Sequence, residues 1–184
     1  MVLTKTPICN FGEKPHSFEL KDVSEKVCNF KDYIGEKGTL IMFICNHCPY
    51  VKAVIKDIVN DANNLKNLNV NTIAIMSNDT KNYPDDSFEN MIKFSKINKF
   101  NFPYLHDETQ EIAKKYGAVC TPDFFGYNRD LELQYRGRIR ELKDLKPVST
   151  DKSDLFNAMK MIAETGKGPK NQIPSMGCNI KWFK

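Results

Sequence analysis

A continuous apolar run at residues 39–45 leads directly into an amphipathic segment at residues 49–66. The run fits a strand that is buried on both faces, as in a sheet covered by helices. In the segment that follows, apolar side chains recur at helical spacing, which predicts a helix entered directly from the strand. Pro49 is tolerated in the first turn of such a helix because its missing N–H costs little there. Cys45 and Cys48 therefore lie where the strand turns into the helix.

The order of the other segments predicts an α/β fold. Residues 70–76 form a second buried strand, and the succession of strand, helix and strand favours a right-handed parallel crossover. Residues 16–36 predict an N-terminal β-hairpin extension, and the Pro- and Gly-containing stretch from Lys167 predicts an irregular end. We expect a central mixed β-sheet flanked by helices, in a single domain at residues 1–184 with a C-terminal tail at 167–184.

Composition excludes several classes of function. The net charge is only +4, and the lysine-rich stretches are broken by apolar residues, so we predict no nucleic-acid binding. No apolar signal region follows the N-terminus, and the run at residues 40–45 is far too short to cross a bilayer. We therefore predict no membrane partner and a cytoplasmic location. Six cysteines in a reducing compartment are poor candidates for a structural disulfide framework.

The spacing of Cys45 and Cys48 predicts redox chemistry. Two residues between cysteines at a helix start bring the two sulfur atoms within bonding distance. The first sulfur would face unpaired N–H groups and the positive end of the helix dipole, which stabilise a thiolate. We predict that Cys45 is the nucleophile and that Cys48 resolves the mixed disulfide. A partly positive imidazole at His47 would lower the pKa of Cys45 further.

A series of short motifs extends over nearly the whole chain. By residue number they are KPHSFEL at 14–20, FICNHCPYV at 43–51, SND at 77–79, YPDDS at 83–87, YLHDETQ at 104–110, YGA at 116–118, CTPDFF at 120–125, YRGR at 135–138 and GCNIKW at 177–182. This set resembles the thioredoxin-like branch of the alkyl hydroperoxide reductase/thiol-specific antioxidant (AhpC/TSA) superfamily. The resemblance implies a thioredoxin fold and thiol-based redox or antioxidant activity. It also implies that Cys45 and Cys48 are the redox-active pair and that Pro122 is a cis-proline.

Three residues elsewhere in the chain are candidate auxiliaries of the pair. Thr121-Pro122 precedes a predicted strand, where a thioredoxin fold brings a cis-proline against the Cys-x-x-Cys loop. Cys120 would then lie near Cys45, as a third redox thiol, a metal ligand or a packed small apolar residue. Two interpretations of Cys178 remain open: a thiol that folds back onto the pair, or a residue of the tail without a redox role.

Two other functions compete with thiol–disulfide exchange. A thiol peroxidase is the first, but typical peroxiredoxins resemble Pro-x-x-x-Thr-x-x-Cys, and here Met42 stands three residues before Cys45. Arg136 or Arg138 would have to supply the guanidinium that polarises a peroxide. The second is copper or zinc binding by Cys45, His47 and Cys48, because thiolates and imidazole suit Cu(I) and Zn.

The preferred prediction is an oxidoreductase that exchanges disulfides with its partners. These partners are protein or small-molecule thiols and disulfides, together with an unidentified electron donor. The prediction includes neither a cofactor nor a resident metal, and it leaves a homodimer open.

Overall fold

The computed structural model describes residues 2–184, and Met1 lies outside the described residues. The strands of this part of the chain are β1 (Leu3–Lys5), β2 (Glu19–Asp22), β3 (Val27–Asn29), β4 (Gly38–Phe43), β5 (Val70–Met76), β6 (Tyr104–His106), β7 (Cys120–Thr121), β8 (Asp123–Asn128), β9 (Leu133–Tyr135), β10 (Leu142–Lys143), β11 (Lys146–Pro147) and β12 (Met176–Asn179). The α-helices are α1 (Pro49–Lys66), α2 (Phe88–Ile97), α3 (Glu111–Tyr116) and α4 (Asp154–Thr165), and 3₁₀ turns lie at Phe30–Tyr33 and Pro84–Asp86.

The central sheet is mixed, as the sequence predicted. Its seven strands lie in the order β3-β2-β6-β5-β4-β8-β9. Strands β4, β5 and β6 are parallel, whereas β8 is antiparallel to β4 and the β2–β3 hairpin joins the sheet antiparallel to β6. The strand–helix–strand unit of β4, α1 and β5 is thus the predicted parallel crossover.

The strand β4 is buried on both faces. Leu40 and Met42 belong to the apolar cluster that also contains the buried faces of α1 and α4. Ile41 and Phe43 point to the opposite face, in the cluster that contains the buried residues of α3. Because successive side chains of a strand alternate between the faces of a sheet, an unbroken apolar run is what a strand covered by helices on both faces requires.

The helix α1 has the bounds that the sequence predicted. Pro49 is its first residue, and the side chains that recur at helical spacing are buried against the sheet. None of the described helices has the length and apolar character needed to cross a membrane.

The C-terminal segment differs from the sequence prediction. Residues 167–175 are irregular, but β12 is a strand that pairs antiparallel with β1 on one side and with β7 on the other. The prediction of an irregular tail was wrong for these residues. A four-residue strand carries little local pattern, and this one forms because two segments that are distant in sequence supply its hydrogen-bond partners.

Candidate active site

The loop between β4 and α1 contains the two cysteines. Cys48 immediately precedes Pro49, and its extended backbone (φ −63°, ψ 122°) is the conformation that a following proline favours. Helical hydrogen bonding begins at once, because the Lys52 N–H donates to the Cys48 carbonyl oxygen at 3.0 Å. Cys48 is therefore the N-cap residue of α1, and Cys45 lies beyond the end of β4.

Both thiols of the pair contact Thr121, in the segment before β8. Cys45 Sγ lies 3.3 Å from Thr121 Oγ1, and Cys48 Sγ lies 3.2 Å from the Thr121 carbonyl oxygen. The Thr121–Pro122 peptide bond is cis, as the family resemblance implied. The Cys-x-x-Cys loop thus contacts the segment Thr121–Pro122, here called the proline loop, through both sulfur atoms.

Cys120 and Cys178 are the two remaining candidate cysteines. Of these, only Cys178 has its sulfur atom close to a sulfur atom of the pair. Its Sγ lies 2.8 Å from Cys48 Sγ, and both residues are buried. Cys120 is also buried, but its Sγ faces the Pro122 carbonyl oxygen at 3.7 Å. Burial raises the pKa of Cys120 above its ordinary value, which keeps this thiol protonated.

Asp86 is a residue of the candidate site that the sequence analysis missed. Its carboxylate accepts the Asn46 N–H at 2.8 Å and the His47 N–H at 3.3 Å, and it lies 2.6 Å from His47 Nδ1. The Asn78 side chain donates to the same carboxylate at 2.8 Å. A fully buried carboxylate with these partners fixes both the backbone of the loop and the orientation of the imidazole.

The sequence around Asp86 favours a different interpretation. Asp86 and Glu89 have the spacing of a capping box, in which Asp86 would be the N-cap of the following helix. In the structure the cap is Ser87, whose hydroxyl accepts the Asn90 N–H, and Asp86 belongs to the preceding 3₁₀ turn. Because Ser87 caps the helix, the Asp86 carboxylate is available to bind the Cys-x-x-Cys loop.

A buried tyrosine supports the other residue between the cysteines. Tyr104 donates its hydroxyl hydrogen to Asn46 Oδ1 at 2.9 Å, and the Asn46 amide donates to the Asp85 carbonyl oxygen at 3.2 Å. His47 stacks on Tyr83 with the rings 8° from parallel. Both residues of the loop centre are thus held by side chains outside the motif.

The surroundings shift the pKa values of Cys45 and Cys48 in opposite directions. Hydrogen bonding to the Cys45 thiol chiefly, and then to Cys178, lowers the pKa of Cys48 from 9.0 to about 5 against the opposing effect of burial. The same bond to Cys48 and burial raise the pKa of Cys45. The sequence analysis predicted the thiolate at Cys45, whereas these opposite pKa shifts favour it at Cys48.

The imidazole of His47 carries positive charge more readily than an ordinary histidine. Its hydrogen bond to Asp86 raises the pKa of His47, and burial acts in the opposite direction. The negative charge of Cys48 contributes to the same rise. His47 therefore adds positive charge beside the thiol pair, as the sequence suggested.

The sequence profile of the AhpC/TSA family matches residues 11–142. The chain belongs to the AhpC/TSA family. Among solved structures, an uncharacterized conserved protein from Geobacillus kaustophilus is 39% identical, with 100% of this chain and 97% of that chain covered and a TM-score of 0.94. A hypothetical protein from Sinorhizobium meliloti 1021 is 31% identical, with 98% of each chain covered and a TM-score of 0.90.

More distant structures share the fold of this AhpC/TSA protein. A secreted Mycobacterium tuberculosis disulfide oxidoreductase homologous to E. coli DsbE is 20% identical, with 64% of this chain and 80% of that chain covered and a TM-score of 0.54. The fold is therefore thioredoxin-like, as expected. The comparison with curated proteins gave no match.

The arginines considered for a peroxide site in this AhpC/TSA chain already have partners. Arg136 is buried and forms an ion pair with Asp123 at 3.0 Å, and it also donates to the Gly117 carbonyl oxygen. Arg138 pairs with Asp154 at 2.7 Å. Arg136 is therefore part of the buried structure next to Pro122.

Three donor atoms of the loop region are close enough to share a metal ion. One atom each from Cys45, His47 and Asp86 lies within 4.8 Å of the others. The carboxylate of Asp86, however, already accepts hydrogen bonds from two backbone N–H groups and two side chains. A metal ion would have to displace several of these bonds, so the contacts favour a hydrogen-bonded loop over a metal centre.

Proposed function

We propose that this AhpC/TSA protein is a thiol–disulfide oxidoreductase whose reacting groups are Cys45 and Cys48. The observation that carries the proposal is the pair of buried thiols at the start of α1, both in contact with Thr121 on the proline loop. Two sulfur atoms in this arrangement can form a disulfide with little movement of the backbone. Pro122 and Thr121 are proposed to cover the pair and to position an incoming disulfide.

The proposed reaction begins at Cys45. Its sulfur attacks one sulfur of a substrate disulfide and passes its proton to Cys48, while the substrate disulfide breaks and one half leaves as a thiolate. Cys48 then attacks the Cys45 sulfur of the mixed disulfide. This forms the Cys45–Cys48 disulfide, and the second half of the substrate leaves with the proton from Cys48. An external thiol donor restores the reduced pair.

The role of His47 in the proposal is electrostatic. A protonated imidazole held by Asp86 stabilises negative charge on the pair during both attacks. The substrate class is a protein or small-molecule disulfide, and we propose the cytoplasm as the compartment, where reduced thiols of this kind persist.

Substitution of the two cysteines tests the proposal. We expect Cys45→Ser and Cys48→Ser each to lower the rate of insulin or glutathione disulfide reduction by at least about 100-fold, because the reaction loses its nucleophile or its resolving thiol. Cys9→Ser is the matched control, since Cys9 is a half-buried cysteine outside the site. Full activity in Cys45→Ser would contradict the proposal.

The same proteins separate the two alternatives. Hydrogen peroxide reduction far faster than that of a free thiol, lost in Cys45→Ser, would support a peroxidase instead. Stoichiometric zinc or copper in wild-type protein purified under reducing conditions, and lost in Cys48→Ser, would support metal binding.

A further inference from the structure

Cys178 lies close to Cys48 because of how the C-terminal strand is held. Cys178 pairs with Leu3 of β1 and with Thr121 of β7, so hydrogen bonds on both sides of β12 fix its backbone. Gly177 allows the approach to the proline loop, since a Cβ atom at this position would lie 2.0 Å from the Thr121 carbonyl oxygen. The position of the Cys178 sulfur is therefore set by the same loop that contacts Cys45 and Cys48.

The sulfur atoms of Cys48 and Cys178 are close enough for a bond to form after a small movement. Their separation is 2.8 Å, and a disulfide requires about 2.05 Å. Both residues are buried, at 0% and 1% exposure, so the surrounding fold holds the two sulfur atoms in place. Cys48 thus has two sulfur neighbours within the fold, Cys45 on one side and Cys178 on the other.

We propose that Cys178 is a third redox thiol, which exchanges with the Cys45–Cys48 disulfide to form a Cys48–Cys178 disulfide. This inference rests on the proposed function, which supplies the first disulfide. In the exchange, the Cys178 sulfur attacks Cys48 Sγ, the Cys48–Cys178 bond forms and the Cys45–Cys48 bond breaks. Cys45 leaves as a thiolate and takes up the proton that Cys178 loses. No electrons enter or leave, so the protein stays oxidised while Cys45 becomes reduced again.

The exchange has a consequence for turnover. A protein with Cys45 reduced and the disulfide moved to Cys48 and Cys178 has its attacking thiol available while it still holds two oxidising equivalents. The disulfide also connects the start of α1 to β12, which contacts the proline loop through β7. Cys178 would therefore determine which two cysteines hold the disulfide of the oxidised protein.

Disulfide mapping tests the proposal directly. Trypsin releases Cys45 and Cys48 together in the peptide 38–52, Cys178 in the peptide 171–181 and Cys120 in the peptide 116–129. A Cys45–Cys48 disulfide therefore stays within one peptide, whereas a Cys48–Cys178 disulfide joins two peptides. The two products differ in mass and can be counted after the remaining thiols have been alkylated.

The decisive variant is Cys45→Ser, treated with one equivalent of diamide after full reduction. We expect most of the folded protein to yield peptide 38–52 joined to peptide 171–181. The additional change Cys178→Ser should abolish this product, and the additional change Cys120→Ala, at another buried cysteine of the same small sheet, should preserve it. Alkylation of both Cys48 and Cys178, or a link to peptide 116–129 instead, would overturn the proposal.

Wild-type protein provides a second measurement that does not depend on the folding of a variant. In glutathione buffers of different potential, both the internal and the joined peptide products should appear, and their ratio should stay constant because the exchange consumes no electrons. Absence of the joined product from oxidised, folded wild-type protein would refute Cys178 as an exchange partner. Formation of the Cys45–Cys48 disulfide in Cys178→Ser tests the proposed function separately, so the two failures can be distinguished.

Discussion

Asp86 illustrates how much a single buried carboxylate can organise. It lies 39 residues from His47 in sequence, yet it accepts two backbone N–H groups of the Cys-x-x-Cys loop and orients the imidazole. It is also a nearby negative charge that raises the pKa of Cys45. Asp86 therefore acts on the thiol pair in two ways, by holding the loop and by raising the pKa of His47.

Replacement of Asp86 should change the titration of His47. We expect Asp86→Asn to move the pKa of His47 from above 6.5 to below 6.5, because the carboxylate that raises it is lost and the opposing effect of burial remains. A titration of the imidazole protons by NMR measures this shift. Asp85→Asn, at the exposed neighbouring position, is the control and should leave the wild-type value. A His47 pKa still above 6.5 in Asp86→Asn would contradict this assignment.

A second buried carboxylate connects two helices. Asp61 lies on the buried face of α1 and accepts a hydrogen bond from the Ser153 hydroxyl. Ser153 is the N-cap of α4, where the same hydroxyl accepts the Phe156 N–H at 2.9 Å. Burial raises the pKa of Asp61 from 3.8 to about 6, because the charged form loses its hydration.

This contact predicts a pH dependence of stability. The folded protein binds the Asp61 proton more tightly than the unfolded chain does, so the contribution of this group is fully present below about pH 4 and is lost as the pH rises through about 6. Asp61→Asn keeps the shape and an acceptor for Ser153 but has no charge to bury. We expect the unfolding free energies of the variant and wild type to be similar at pH 4, with the variant more stable by up to about 3 kcal/mol at pH 8.

Urea unfolding at several pH values measures this difference. Because the other titrating groups are common to both proteins, their contributions cancel in the comparison. A difference that does not increase between pH 4 and pH 8 would show that Asp61 is not the cause.

The two ends of the described chain meet beside the site. Strands β1 and β12 come from opposite ends, and together with β7 they form a three-stranded sheet whose last strand leads into the proline loop. Ser175 adds a further bond, donating to the Pro122 carbonyl oxygen at 2.8 Å. The packing of the proline loop against the thiol pair therefore depends on contacts between segments that are far apart in sequence.

The close approach of Gly177 allows this arrangement to be tested. Gly177→Ala would bring a methyl group to 2.0 Å from the Thr121 carbonyl oxygen, so strand β12 or the proline loop has to move. We expect a loss of about 2 kcal/mol or more in the free energy of unfolding, as for other overpacked sites. Met176→Ala, at the partly exposed position beside it, should cost less than about 1 kcal/mol. Equal stability of the two variants in urea would contradict this role of Gly177.

Local patterns were sufficient to predict much of the architecture. The apolar run at residues 39–45 predicted β4, because a strand buried on both faces has apolar side chains throughout. The helical periodicity of residues 49–66 predicted α1, because a helix buried on one face has apolar side chains at regular spacing. Gly117 and Gly166 end α3 and α4, and both have the left-handed conformation that glycine adopts readily, which is a helix end that a sequence can indicate. The family resemblance supplied the cis bond at Pro122.

The surroundings of the cysteines depend on contacts that no local pattern records. Cys48 meets Cys178 across 130 positions of the chain, and the Cys-x-x-Cys loop meets Asp86 across about 40. A short strand such as β12, or an aspartate beside a good capping residue, has several plausible conformations until its distant partners are present. The amino-acid order was therefore enough to predict Cys45 and Cys48 as the candidate redox pair. The neighbours of that pair, such as Asp86 and Cys178, could not be predicted from the sequence. They come together only when the seven-stranded and the three-stranded sheet have formed, because they belong to segments that are far apart in sequence.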